Sequence, residues 1–308
     1  MSTTQVPEPA ARTRSGPAAG AARERVLVIP AITVTLLLWA SAFVAIRYVD
    51  RSLSAGGLAC GRLLIGSVAL GAVMLARGER LPRGRAFWLS LGCGVLWFGL
   101  YNLALNAGER RIDAGTSALL VNTGPIFLAL LAGTVLREGF PRVLLGGCAV
   151  AFAGTTLIAV GVSTHGASDL WGVLLCLVAA ACYAIGVIAQ KPALADASSL
   201  SVTWTACTVG AVSLLGYAPS LFDSLRHVSG AVIGWTVYLG VGPTAVGFLC
   251  WGFVLARWPA GRTGATTYLV PPLVVLIGWL ALSETPPWLA LPGGLLCLSG
   301  VALTRRRG

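Results

Sequence analysis

Long apolar runs, separated by short basic or turn-forming stretches, occupy almost the whole chain from Leu27 onward. Ten such runs stand out: 27–46, 53–76, 86–107, 113–136, 143–162, 170–189, 199–219, 230–256, 263–282 and 288–304. A helix needs ~20 apolar residues to cross ~30 Å of hydrocarbon, and most of the runs match that length. They are continuous rather than alternating, which selects helices over a membrane β-barrel. Ser, Thr and Trp dilute the seventh run, and the tenth is short. The pattern predicts an all-α integral membrane protein with ten transmembrane helices.

The pattern also repeats. At an offset of 146 residues, Arg111 matches Arg257, Ala114-Gly115 matches Ala260-Gly261, Pro125 matches Pro271, Glu138 matches Glu284, Gly147 matches Gly293 and Gly154 matches Gly300. Trp39 and Tyr183, and Arg47 and Lys191, align at an offset of 144. A duplicated unit with an odd number of crossings inserts its second copy upside down, so the halves are expected to be two inverted five-helix repeats. The expected division is a disordered tail over 1–25, repeats over 26–163 and 164–304, and a basic end over 305–308. Residues 1–25 are rich in Ala, Pro, Ser, Thr and Arg without apolar periodicity. Ala40-Ser41-Ala42 resembles a signal-peptide cleavage site, but the apolar run is too long for a signal core and nine more follow.

Composition sharpens this reading. Apolar residues make up 56% of the chain and charged residues 11%, against about 25% charged in soluble domains. The net charge of +11 does not point to nucleic acid, because the basic residues cluster between apolar runs. With the N-terminus inside, most of them fall on cytoplasmic segments. The outer loops hold only Arg47, Arg51, Arg110, Arg111 and Arg226. This bias supports both termini in the cytoplasm, and the cell (inner) membrane is the expected location. All eight cysteines lie within predicted spans and form no CxxC pair, and His165 and His227 have no partner ligands nearby. Neither a metal nor a cofactor is expected.

The polar residues inside the spans are the candidate chemistry. Arg62 sits about ten residues into the second span, where a charge costs at least ~2.5 kcal/mol and must face protein or water. An anion-binding or gating arginine and a structural arginine bonded to backbone carbonyls both fit, and no Asp or Glu lies in a span centre to pair with it. Asn102 and Asn106, four apart, share a helix face. Asn122 and Thr123 precede Pro125, which frees the Val121 carbonyl; Pro271 and Pro272 free those of Thr267 and Tyr268. Matching helix breaks in two inverted halves point to a central site. Trp39, well inside the first span, and Tyr183 are candidate stacking walls. Gln190, Trp204, Trp251 and Tyr268 extend that list, and for all of these but Trp39 a lipid-facing or interfacial position is the simpler expectation. Glu138 and Glu284 lie at span ends and read as caps or loop anchors.

Taken together, Trp39-Ala40-Ser41-Ala42-Phe43, the mid-span Arg62, Ala104-Leu105 leading to Asp113-Ala114-Gly115, Pro125 followed by Glu138, and the repeat with Ala260-Gly261, Pro271 and Glu284 resemble the EamA-type transporters of the drug/metabolite transporter superfamily. The resemblance spans about residues 27–304 and implies a central cavity, alternating access and export of small metabolites such as amino acids. The second half lacks a counterpart of Arg62, so functional symmetry is imperfect. Trp39, Arg62, Asn102, Asn106, Asn122 and Tyr183 are the expected substrate contacts, and Pro125, Pro271 and Pro272 the expected breaks or hinges. The expected partners are a small-molecule substrate and the lipid bilayer, with homodimerisation left open. No GxxxxGK[ST] loop is present, which disfavours ATP-driven transport. A membrane-embedded sensor or scaffold is the alternative. An intramembrane enzyme would need clustered catalytic groups that the spans do not offer.

Overall fold

A computed structural model describes residues 17–112, 114–135, 137, 142–163, 170–282 and 289–305. Glu138, Glu284, Asp113 and His165 lie outside the described residues. Among the described residues the fold is all-helical, without strands. The first half comprises α1 (Pro17–Val49), α2 (Ala55–Ala76), α3 (Gly84–Glu109), α4 (Ala114–Val121), α5 (Gly124–Val135) and α6 (Arg142–Ser163). The second comprises α7 (Leu170–Asp196), α8 (Ser199–Ser213), α9 (Ala218–Leu225), α10 (Gly230–Arg257), α11 (Ala260–Ala265), α12 (Val270–Leu282) and α13 (Ala290–Arg305).

Six described helices are long and apolar enough to cross a membrane: Leu27–Val49, Ala55–Ala76, Gly84–Glu109, Trp171–Asp196, Gly230–Arg257 and Ala260–Ala281. A seventh span forms if Ser199–Ser213 and Leu215–Leu225, bent by 49°, are taken together. Gly124–Val135, Arg142–Gly154 and Leu291–Gly300 are shorter apolar pieces, so the count of ten is not reached by length alone. Large apolar side chains cover the outside, with Leu75 84%, Leu291 77% and Val68 73% exposed. Such a surface needs a hydrocarbon solvent.

The duplication extends to local devices that sequence alignment alone does not reveal. Ser54 caps α2 by accepting from the Gly57 N–H, and Ser198, 144 residues later, caps α8 by accepting from the Ser201 N–H, both at 3.1 Å. Each cap satisfies a backbone donor left over at the helix start. Both α3 and α10 widen to a π-helical segment at matching places, Gly94–Leu100 and Gly240–Gly247. In α10 the local cause is Pro243, which has no N–H to give the Leu239 carbonyl. The Thr244 hydroxyl donates to that carbonyl instead, at 2.8 Å.

These wide segments pack across the halves. A methyl added at Gly94 would lie 2.6 Å from the Ala206 carbonyl oxygen on α8, and one at Gly240 2.9 Å from the Arg62 carbonyl oxygen on α2. The facing glycines match as well: a methyl at Gly210 would meet Phe98 Cβ at 2.5 Å, and one at Gly66 would meet Thr244 Cγ2 at 2.8 Å. Only hydrogen fits at these four places, and bare backbones let membrane helices approach this closely. The α3 of one half therefore seats against α8 of the other, and α10 against α2, by the same contact made twice.

The helix ends repeat the theme. Arg47, near the end of α1, donates to the Glu109 carbonyl at the end of α3 at 3.3 Å. Its match Lys191 donates to the Leu255 and Trp258 carbonyls at the end of α10, at 2.6 and 2.8 Å. Glu109 and Leu255 are themselves 146 apart. A cation on the unpaired carbonyls of a helix C-terminus is favourable in both places.

Candidate functional site

A cavity of about 620 Å³, its open mouth included, lies between the halves. Its lining draws on matched positions: Trp39 with Tyr183, Asn102 with Phe248, and Val121 with Thr267. It therefore lies where the two repeats meet, next to the broken helices.

Arg62 is 4% exposed on α2 and lines the cavity. Its Nε donates to the Thr244 hydroxyl at 3.1 Å. The arrangement is a relay: Pro243 vacates the Leu239 carbonyl, Thr244 fills it, and the lone pairs of the same hydroxyl hold the guanidinium. Among the described residues this is the guanidinium's only hydrogen bond. A guanidinium carries five N–H donors, so the terminal nitrogens retain donors for an anion.

The sequence offers no acid in a span centre to pair with Arg62, and the structure supplies one from the end of a span. Glu109, the last residue of α3, is fully buried and lies within electrostatic reach of Arg62 and Tyr101. It escaped because the third apolar run was ended two residues too early. Asn102, Asn106 and Glu109 share one buried face of α3. A buried cation with a carboxylate in range is far less costly than an isolated one.

Asn102 and Asn122 line the cavity and are bound alike. Each donates its side-chain Nδ2 to the carbonyl four residues back, Phe98 and Ala118 respectively, at 2.7 Å. A carbonyl can only accept, so the amide nitrogen must face it. Among the described residues each Oδ1 is then a buried acceptor without a hydrogen-bond partner. Asn106 is also buried but does not join the lining; its Nδ2 donates to the Ala55 carbonyl at 3.2 Å, tying α3 to the start of α2.

Aromatic rings also line the cavity. Trp39 lies 5.0 Å from Trp251, 5.2 Å from Phe248 and 6.2 Å from Trp97 between ring centroids. Trp97 packs on Phe248 at 4.9 Å and on Tyr183 at 5.3 Å, near edge-to-face. Trp39 is held by its Nε1–H, which donates to the Pro243 carbonyl at 3.2 Å. Trp97 and Phe248 were not foreseen. Phe248 stands 146 residues after Asn102, so extending the repeat to that position would have found it.

Of the other expected residues, Pro125 lines the cavity, whereas Pro271 is buried and Pro272 half-buried outside it. Trp251 and Tyr268 are fully buried, as is Gln190. This corrects the lipid-facing expectation, for Tyr183 as well: Tyr183 packs on Trp97 and Trp251 on Trp39, and Tyr268 lies in a small cluster with Cys148, Ala151 and Ala265. Trp204 is half-buried, its Nε1–H donating to the Ser67 carbonyl at 3.1 Å. Among the described residues no group of His, Cys, Asp and Glu with metal-holding geometry occurs.

Comparison with known proteins adds a family. The model described as the EamA-like transporter family matches residues 27–160 and again 170–306. A "Probable terminal-alkyne amino-acid exporter" of Streptantibioticus cattleyicolor is 37% identical over 278 residues, covering 90% of this chain and 93% of that protein. The "Uncharacterized transporter YdfC" of Bacillus subtilis is 32% identical, with 87% of each chain covered. A "Probable amino-acid metabolite efflux pump" of Salmonella typhimurium is 26% identical, covering 87% and 91%. A solved structure titled "Crystal structure of protein" aligns with a TM-score of 0.74 at 20% identity, covering 90% of this chain and 96% of the other; it speaks to the fold alone.

Proposed function

Because the chain belongs to the EamA-like transporter family, a family of multi-pass transporters rather than enzymes, we propose that it exports small metabolites such as amino acids by alternating access. The observation that carries this reading is the cavity at the junction of the halves, lined by polar, aromatic and aliphatic side chains, beside helix breaks repeated 146 residues apart. The relatives named as exporters of amino acids and their metabolites support the cargo class.

The full reading has ten helices as two inverted five-helix repeats, over 26–163 and 164–304. It sets both termini in the cytoplasm and the chain in the cell membrane, with lipid against its apolar exterior. An odd number of crossings in each repeat supports inversion. Under it, the Arg47 and Lys191 bonds lie at opposite membrane faces and latch opposite ends of the cavity. Trp39, Arg62, Asn102, Asn122 and Tyr183 contact the substrate, and Asn106 steadies the helix that carries Asn102. Pro125, Pro271 and Pro272 keep the fourth helix of each repeat divided, so that its two parts can tilt separately.

Purified protein in liposomes loaded with labelled amino acids, nucleosides and organic cations tests the proposal. Selective efflux of one class is the expected result. Retention of every solute by folded protein would contradict it and favour a sensor or scaffold.

A further inference from the structure

Resting on the transporter reading and its inverted repeats, we infer that Gln190 and the Trp251 indole N–H line a second solute site, closed in this conformation, toward the opposite end of the bundle from the open cavity. The open cavity is lopsided. From the first half it takes Ile46, within a turn of the end of α1, and Leu105, about a turn from the end of α3. From the second half it takes Tyr183, Phe248 and Thr267, none so near the end of a span. Two inverted halves built alike can exchange roles, and the exchange opens the matching walls toward the other end.

The repeat names those walls. Ile46 matches Gln190 at the offset of 144, and Leu105 matches Trp251 at the offset of 146. Two aliphatic side chains are thus replaced by two that form hydrogen bonds. Both are fully buried. Among the described residues neither the Gln190 amide nor the Trp251 Nε1 has a hydrogen-bond partner. Buried polar groups left in this way are costly and call for a reason. A second conformation, in which water and solute reach them, supplies one. Thr203 is orphaned as well, but its match Ala59 lies outside the open lining, so it is not assigned to the site.

The packing shows what closes the second site. Ala42 and Tyr101 line the open cavity, and their matches are Gly186 and Gly247. A methyl on Gly186 would lie 2.4 Å from Trp97 Cβ, and one on Gly247 would lie 3.0 Å from Trp39 Nε1. Trp39 and Trp97 therefore occupy the ground that the matching cavity needs, and their withdrawal uncovers Gln190 and Trp251. The amide offers donors and an acceptor, and the indole offers one donor. The second site thus receives the neutral hydrogen-bonding groups of a solute.

Cysteine labelling in sealed proteoliposomes tests this, with solute flux measured in the same vesicles. In a background without native cysteines, Ile46→Cys should react with a membrane-impermeant maleimide only from the face where α1 ends. Gln190→Cys should react only from the face where α7 ends, and a transported solute should slow that reaction. Val187→Cys is a milder change, at the match of the lining residue Phe43. It should behave as Gln190→Cys does and keeps the test intact if the latter misfolds. Failure of both Gln190→Cys and Val187→Cys to react, in protein that still transports, would overturn the inference and keep the transporter reading. So would their labelling from the Ile46 face, or labelling that no transported solute slows. Absence of flux for every solute would overturn both.

Discussion

Replacing Thr244 by valine removes one hydroxyl and keeps the side chain's shape. The residue is fully buried in the π-helical part of α10, so no cavity opens and no bulk is added. Two bonds disappear together: the 2.8 Å bond to the Leu239 carbonyl and the 3.1 Å bond from Arg62 Nε. Pro243 cannot replace the first, and among the described residues Arg62 Nε has no second acceptor. Side-chain hydrogen bonds between membrane helices average only ~0.6 kcal/mol, with ~1.7 near the upper end. A bond from a charged donor is worth ~1.5–3 kcal/mol in proteins generally. The two belong to one network and do not simply add, so a total of about 1–3 kcal/mol is expected. If Arg62 binds substrate, part of that loss appears as a higher KM, because the guanidinium is no longer held in place. Thr244→Ser keeps the hydroxyl and should restore most of both properties. Transport kinetics in proteoliposomes and the unfolding midpoint in detergent measure the two parts. A Thr244→Val protein with unchanged KM and stability would refute the relay from Pro243 through Thr244 to Arg62.

Other perturbations probe the framework. Gly94→Ala and Gly240→Ala should each cost about 1–3 kcal/mol by overpacking, because their new methyls meet backbone oxygens at 2.6 and 2.9 Å; detergent unfolding reads this, and a neutral result for either would argue against the matched contacts. Lys191→Met should leave the protein folded but alter transport, by freeing the end of α10 from α7, whereas wild-type rates would remove that contact from the cycle. Asp50, outside the span of α1, pairs with Arg110 at 3.7 Å. Burial raises its pKa above the usual 3.8, and Arg110 and Arg47 oppose the rise. A carboxyl with a raised folded pKa binds its proton more tightly in the fold than in the unfolded chain. Its contribution is therefore present in acid and lost as pH rises through the folded pKa. Asp50→Asn should remove that part of the pH dependence and shift stability at neutral pH by no more than about 1 kcal/mol, since Arg110 is 45% exposed; an unaltered acid profile would exclude the assignment.

Much of this architecture was legible in the chain because membrane helices announce themselves by length and continuity. Six of the ten runs became helices of spanning length, and the two-residue difference between the 144 and 146 offsets recurs in the caps and carbonyl bonds. Arg62 was legible because a charge in hydrocarbon is so costly that it demands a partner. Trp97 was not, because an aromatic residue in an apolar run carries no positional signal until its neighbours are known. Glu109 was missed for the opposite reason: hydropathy closes a span at the first charge, whereas the helix continues to Glu109 itself, where Arg47 meets the carbonyl end. Nor does hydropathy register π-helical widening. Pro243 marked it in α10, but α3 carries no proline in its equivalent segment.

The central claim is that one cavity between the halves serves both sides of the membrane. Val121 lines it without being a polar contact. The direct measurement introduces Val121→Cys in a background without native cysteines and applies a membrane-impermeant maleimide to sealed vesicles from each side in turn. The account predicts labelling from both sides, with each reaction slowed by a transported solute. Labelling from one side alone, or labelling that no transported solute slows, would contradict it.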